Sequence, residues 1–291
     1  MDSSFESPPH QTETTFTMDK DIQIWNKVLS AAMNMPGVKV NRAQYLREQL
    51  STYRIDNDKI ETAINQGTMG IIPMEVLDKI AKSSVRYHRR MATGVSTALG
   101  MPGGLAILGT IPGDIAQFYF HVFVVSQKVA YIYGYPDLCD EKGNFSDSAA
   151  DMLTVFVGVM SGVAAANKVI QELSEQFGKI VMNRLPQYAL TQGVIYPLVR
   201  QVAKWIGVSL TKQSFSRGIA KFIPVLGGLI SGTLTFFTFR HQTKKLMYKI
   251  KESMQLAYNV QHTVSSPDPT LNIDPIDIAI DAEEVVDEKP E

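Results

Sequence analysis

Apolar residues recur at helical spacing through the first third of the chain. Trp25, Val28, Leu29, Ala32 and Met33 share one side of a predicted helix over 19–35, which Pro36-Gly37 ends. Two shorter helices follow over about 42–53 and 56–66, closed by Gly67 and Gly70. Pro73 stands where a first helical residue belongs and opens a helix through Val76, Leu77, Ile80 and Val85 towards Arg90. This part reads as ordinary amphipathic helix packing.

The pattern then changes. Residues 91–127 contain one acid, Asp114, one histidine, His121, and no lysine or arginine. Six glycines together with Pro102 and Pro112 fall within 91–113, which predicts two short apolar helices broken near 101–104 and 111–113 instead of one straight span. From Asp114 a helix can run to Tyr133, stopped by Gly134 with Pro136 beyond. Residues 140–147 form a polar loop, and 152–167 are uncharged and rich in small side chains. An amphipathic surface helix is predicted over 172–184, then an interrupted apolar stretch over 185–199. The last apolar element, 222–239, is uncharged and just long enough to cross a bilayer core, but Pro224, Gly227 and Gly228 argue against straightness. Alternation with period two occurs only around Ile276, Ile278 and Ile280, so the body is expected to be all-α. The expected architecture is a multi-helix bundle with Gly/Pro-broken apolar hairpins over 19–262, between a disordered leader (1–18) and an acidic disordered tail (263–291).

Charge sharpens this picture. The whole chain carries −1, yet the tail carries −8 and the first 18 residues −3, leaving +10 on the body between them. A basic body with acidic ends suits an anionic partner, and anionic membrane lipid is the expected one. The acidic tail could recruit a protein partner or fold back on the body. No nucleic-acid motif accompanies the basic charge, so nucleic acid is not an expected partner. A single cysteine, Cys139, excludes an intrachain disulfide framework and a multi-cysteine zinc site.

Three sets of residues stand out as candidates. Glycines four apart (Gly100/Gly104, Gly109/Gly113, Gly158/Gly162, Gly228/Gly232) would clear one helix face for close approach of another backbone, although caps and soluble packing use the same spacing. Basic residues flank the apolar runs: Arg86, Arg89 and Arg90 before the first, Lys221 before the last, and Arg240, Lys244 and Lys245 after it. Such side chains can reach anionic head groups, each worth about 1 kcal/mol near a charged leaflet. Asp114, Gln117, His121 and Lys128 make one polar stripe along an otherwise apolar helix. That stripe is either a site, or a helix cap plus a satisfied core histidine, because the five histidines are far apart in sequence and none is placed to assist His121.

Walker, dinucleotide, zincin and nucleophile-elbow patterns are all missing, so no catalytic residue, metal or cofactor is expected and the chain reads as non-enzymatic. Gly103-Gly104-Leu105, Ile111-Pro112-Gly113-Asp114 and the run from Lys128 through Tyr131-Ile132-Tyr133-Gly134-Tyr135 resemble the signature half of bacterial EcsC-family proteins. Phe222-Ile223-Pro224-Val225-Leu226-Gly227-Gly228, followed by a Phe-rich helix and Arg240, resembles that family's C-terminal half. The resemblance covers about 78–258 and implies a helical protein associated with membranes, accessory to an ABC transporter or a secretion process.

The expected function is therefore a membrane-associated helical protein, binding or shallowly inserting at the cytoplasmic face of the cell membrane. The alternatives are a soluble cytoplasmic helical protein whose buried apolar pocket holds a lipid-like ligand, and a membrane-acting effector.

Overall fold

A computed structural model describes residues 10–98, 113–140, 142–146, 148–179, 190, 193–215 and 228–264. The described residues are all-α, with nine helices and no strand beyond short bridges such as that between Cys139 and Phe145. In chain order these are α1 (His10–Met33), α2 (Arg42–Thr52), α3 (Asn57–Gln66), α4 (Met74–Ala98), α5 (Gly113–Ile132), α6 (Ala149–Ser161), α7 (Ala164–Lys179), α8 (Tyr196–Phe215) and α9 (Gly228–Val264).

Helix α5 is the axis of the bundle. It contacts α1, α2, α4, α6 and α9, and all its residues from His121 to Ile132 except half-buried Lys128 are buried. A helix packed by five others needs no broad solvent-facing side, which explains why its sequence is mostly apolar with only a narrow polar stripe. The helices around it are two-sided. In α4, Leu77, Ile80, Ala81, Ser84, Val85 and His88 point inward, while Lys79, Lys82, Arg86 and Arg90 are exposed. The longest helix, α9, spans about 55 Å at 1.5 Å per residue and packs along α7, α4 and α6.

Local signals set the helix ends. Asn41 caps α2 by accepting the Gln44 N–H at 2.9 Å. Gly134, at φ 98°, ends α5 in a Schellman motif, with Tyr135 N–H on the Ala130 carbonyl and Gly134 N–H on that of Tyr131.

Several boundaries differ from expectation. The leader predicted to be disordered over 1–18 is helical from His10, because lengthening an existing helix avoids a second nucleation cost. Helix α4 does not stop at Arg90 but continues to Ala98, since Gly94 is the only breaker there and a glycine inside a helix costs only about 1 kcal/mol. The predicted surface helix over 172–184 begins earlier, and its Val169, Ile170, Leu173 and Phe177 are buried. Helix α7 lies against α9, α6 and α8, and that burial outweighs its acidic surface positions. The tail and the predicted breaks at 101–104 and 111–112 lie outside the described residues.

The glycines divide by role. Gly158 lies in α6 where a Cβ would stand 2.5 Å from Val202 Cγ1 and 2.7 Å from Ala166 Cβ, so it admits α8 and α7 closely. Gly162 is not a packing glycine: it is the left-handed cap of α6 at φ 78°, with Val163 N–H returning to the Gly158 carbonyl. Gly100, Gly104 and Gly109 lie outside the described residues; Gly113, Gly228 and Gly232 have helical backbone. Gly207, which no spacing rule flags, makes the tightest approach, because a Cβ there would run into the Asp21 backbone carbonyl across the α1–α8 contact.

Gly207→Ala should therefore destabilise the fold by about 1–3 kcal/mol, since backbone cannot rotate away as a side chain can. Urea unfolding followed by circular dichroism measures this. An unchanged or raised midpoint would mean that the gain in helix propensity outweighs the clash.

Candidate functional site

Two of the four stripe residues on α5, His121 and Lys128, come together through a residue the sequence left isolated. His88 of α4 places its Nδ1 3.5 Å from His121 Nδ1 and its Nε2 3.2 Å from Lys128 Nζ. The antiparallel α4–α5 packing brings these groups together, with one imidazole bridging two turns of the neighbouring helix. The expectation that no histidine assists His121 is thus overturned, because residues 33 positions apart in sequence meet across a helix interface. A signal existed: His88 continues the inward face set by Leu77, Ile80 and Ser84, so each of two consecutive helices carries a buried histidine.

The network fixes its own protons. An ammonium on Lys128 can only donate, so His88 Nε2 accepts, and His88 Nδ1–H then donates to His121 Nδ1. Both rings are neutral in this arrangement. Burial lowers His88 to about 3, helped by the charge of Lys128 and by His121, and burial alone lowers His121 to about 4. Burial also lowers Lys128, while the Glu48 carboxylate works in the opposite direction. The Lys128 ammonium lies 5.6 Å from the Tyr45 ring centroid and 5.9 Å from that of Tyr87, a cation–π cradle.

Lys128 forms part of the wall of a cleft of about 470 Å³ between α2, α4 and α5. Its lining is polar and aromatic, with Asn41, Gln44, Ser83, Ser84, Tyr45 and Tyr87 among it. Tyr45 Oη and Ser84 Oγ are hydrogen-bonded at 2.8 Å, tying α2 to α4. The other two stripe residues do not join this site. Gln117 has a buried Oε1 with no hydrogen-bond partner among the described residues, and the Asp114 side chain lies outside them.

The flanking basic residues separate into groups. Arg89 is half-buried on α4, and its titration is lowered by burial first and then by the charges of Arg240, Arg86 and Arg90. Lys245 turns instead towards Gly162, its Nζ 3.2 Å from where a Cβ would stand, at the carbonyl end of α6. Lys244 is exposed, and Lys221 lies outside the described residues.

The arginine group has a definite place in the bundle. Asp78 of α4 accepts from Tyr133 at 2.8 Å and pairs with Lys251 of α9 at 3.0 Å, whereas further along α4 His88 meets His121 and Arg89 feels the charge of Arg240, and Phe239 packs on Phe118. Both α5 and α9 therefore run antiparallel to α4 and begin at the end where α4 finishes. Helix α8 finishes at the same level: Thr211 bonds Asp21, one turn before Trp25, whose ring lies 5.2 Å from that of Tyr119 near the start of α5. The sequences joining α4 to α5 and α8 to α9 thus both leave from one end of the bundle.

No helix among the described residues is long and apolar enough to cross a membrane, and no group of three or more metal-ligating side chains occurs among them. No protein-family model, curated protein or solved structure matches the chain.

The histidine pair sets a pH response. Above the ordinary imidazole value of 6.5 both rings are neutral in the folded and the unfolded chain, and their contribution is constant. As pH falls below 6.5 the unfolded chain takes up protons that the folded rings refuse, so stability is lost until the folded values are reached. Each ring contributes up to about 1.4 kcal/mol per pH unit in that window. Asp151, raised to about 6 by burial, acts in the opposite sense between 6 and its ordinary 3.8, so the comparison must be made against a variant. Denaturant titrations from pH 7 to 4.5 should show a shallower loss for His88→Phe/His121→Phe than for the parent. Parallel slopes would mean that the rings titrate normally.

Proposed function

We propose that the chain is a non-enzymatic, membrane-associated helical protein of the EcsC type. It docks on the cytoplasmic face of the cell membrane by the end of the bundle where α4 stops and α5 and α9 begin. What supports this reading is that exposed Arg86 and Arg90 of α4 and exposed Arg240 of the antiparallel α9 lie towards that end, where the charge of Arg240 acts on Arg89. The sequences that leave the same end are the apolar, glycine- and proline-rich ones: 91–113 has no basic residue and one run from 222 to 239 has no charge.

Apolar insertion and a cationic collar reinforce each other, since a single weak anchor gives only marginal binding while two together hold a protein at a surface. Arginine suits the collar because its planar guanidinium pairs phosphate in a bidentate fashion and its stem can lie along apolar surface. Each such charge contributes about 1 kcal/mol at an anionic leaflet. The resemblance to the EcsC family adds a setting, beside an ABC transporter or a secretion process. The acidic tail is then free to contact a protein partner.

The test is vesicle flotation of the full chain with phosphatidylglycerol-containing and purely zwitterionic liposomes. Binding is expected on the anionic vesicles. Reversing the exposed charges in Arg86→Glu/Arg90→Glu/Arg240→Glu should weaken it by about 100-fold or more, from about 1 kcal/mol per lost cation plus the new repulsion. Equal binding of parent and variant, or no binding to either vesicle, would sink the proposal.

A further inference from the structure

We infer that the cleft between α2, α4 and α5 is a binding site for a small polyhydroxylated organic anion, of the sugar-acid or sugar-phosphate kind, with Lys128 as its countercharge. The ammonium of Lys128 has three protons. One goes to His88 Nε2 at 3.2 Å, and the other two have no hydrogen-bond partner among the described residues. Lys128 also makes no salt bridge among them. Burial penalises its charge, and Glu48, the carboxylate whose charge offsets that burial, is exposed and accepts from Gln44 Nε2 at 2.8 Å. A half-buried cation on a cleft wall, held in position yet without a paired carboxylate, lacks an anion.

The rest of the lining defines the remainder of the ligand. Lys39 adds a second positive charge at the cleft, held by Asn144 Oδ1 at 3.2 Å. Two lysines against one glutamate favour an anion and repel a free metal cation or amine. Asn41, Gln44, Gln49, Ser83 and Ser84 offer amide and hydroxyl groups, the pairing that several adjacent ligand hydroxyls require. The ring of Tyr87, 56% exposed, gives a flat apolar face for the C–H side of a sugar. The volume of about 470 Å³ is in the range of small-molecule sites.

The ligand is a free solute in preference to a lipid head group. Lys128 stands about 22 Å along α5 from Gly113, away from the end proposed to meet the membrane. The cleft proposal therefore does not depend on that docking.

Isothermal titration calorimetry on the full chain, with glucose 6-phosphate, gluconate, inorganic phosphate and neutral glucose as probes, tests it. The two hydroxylated anions should bind, and glucose should give no heat. Inorganic phosphate should bind more weakly than glucose 6-phosphate. Lys128→Met should lower affinity about tenfold or more, the worth of one charge-assisted hydrogen bond. Should Lys128→Met fail to fold, Ser83→Asp places a negative charge at an exposed position of the same cleft and should abolish anion binding with the melting temperature unchanged. Vesicle binding of both variants should match the parent. The inference is overturned if neither hydroxylated anion binds, if both variants bind them as the parent does, or if Lys128→Met loses vesicle binding in place of solute binding.

Discussion

The constraint on which the rest of this structure depends is the enclosure of α5. With helices on every side, a polar atom on it cannot turn to water, and a buried polar group left without a partner costs roughly 1–3 kcal/mol. Apart from Gln117, whose Oε1 has no partner among the described residues, the buried polar side chains there are committed to neighbours. Gln127 donates to the Val38 carbonyl at 2.8 Å and accepts the Val40 N–H at 3.1 Å, which fixes the segment between α1 and α2. Thr68 reaches in to the Ile132 carbonyl, and just beyond the helix Tyr133 reaches out to Asp78. His121 and Lys128 answer to His88. The same rule that holds the bundle in register thereby builds the cleft wall.

That rule also explains what was legible in the sequence. Helices α2 and α3 could be read because their signals are local: an asparagine cap, a periodic apolar face, a closing glycine. The end of α5 was legible for the same reason, since Tyr133-Gly134 writes a left-handed stop into two adjacent residues. The reading of 114–133 as an apolar helix with one polar stripe marked an unusual helix, but such a pattern suits lipid and protein surroundings equally. Only the neighbours of α5 distinguish the two.

What could not be read was non-local. Gly158 and Gly162 share a four-residue spacing, yet one admits Val202 and the other ends a helix, and nothing in the spacing separates these roles. Gly207 has no glycine partner in sequence at all; its partner is the backbone at Asp21. His88 and His121 belong to different helices, and only their antiparallel packing converts two isolated imidazoles into a pair. The arginines were legible as a flank of an apolar run, but the joining of Arg240 to Arg86, Arg89 and Arg90 required the direction of α9 against α4.

Helix α4 carries both candidate regions, and its geometry keeps them apart. At 100° per residue, Ser84 and His88 look towards α5 and the cleft, Arg86 and Arg90 look outward, and Arg89 is half-buried where the charge of Arg240 acts on it. Gathering like charges is unfavourable in the free protein, and their repulsion adds to burial, the larger cause, in lowering the titration of Arg89. Lysines and arginines solvated at random on a helix face would avoid one another, because mutual repulsion is relieved simply by spacing them out. On the proposed reading, the exposed Arg86, Arg90 and Arg240, at the level where two apolar sequences leave the bundle, gain from an external anion. Phosphate groups arrayed in a leaflet supply many such anions at once, whereas Lys128 with Lys39 at one cleft calls for a single small anion. The two regions thus differ in the charge they offer, and on the two proposals the surface falls to the arginines and the solute to the lysine.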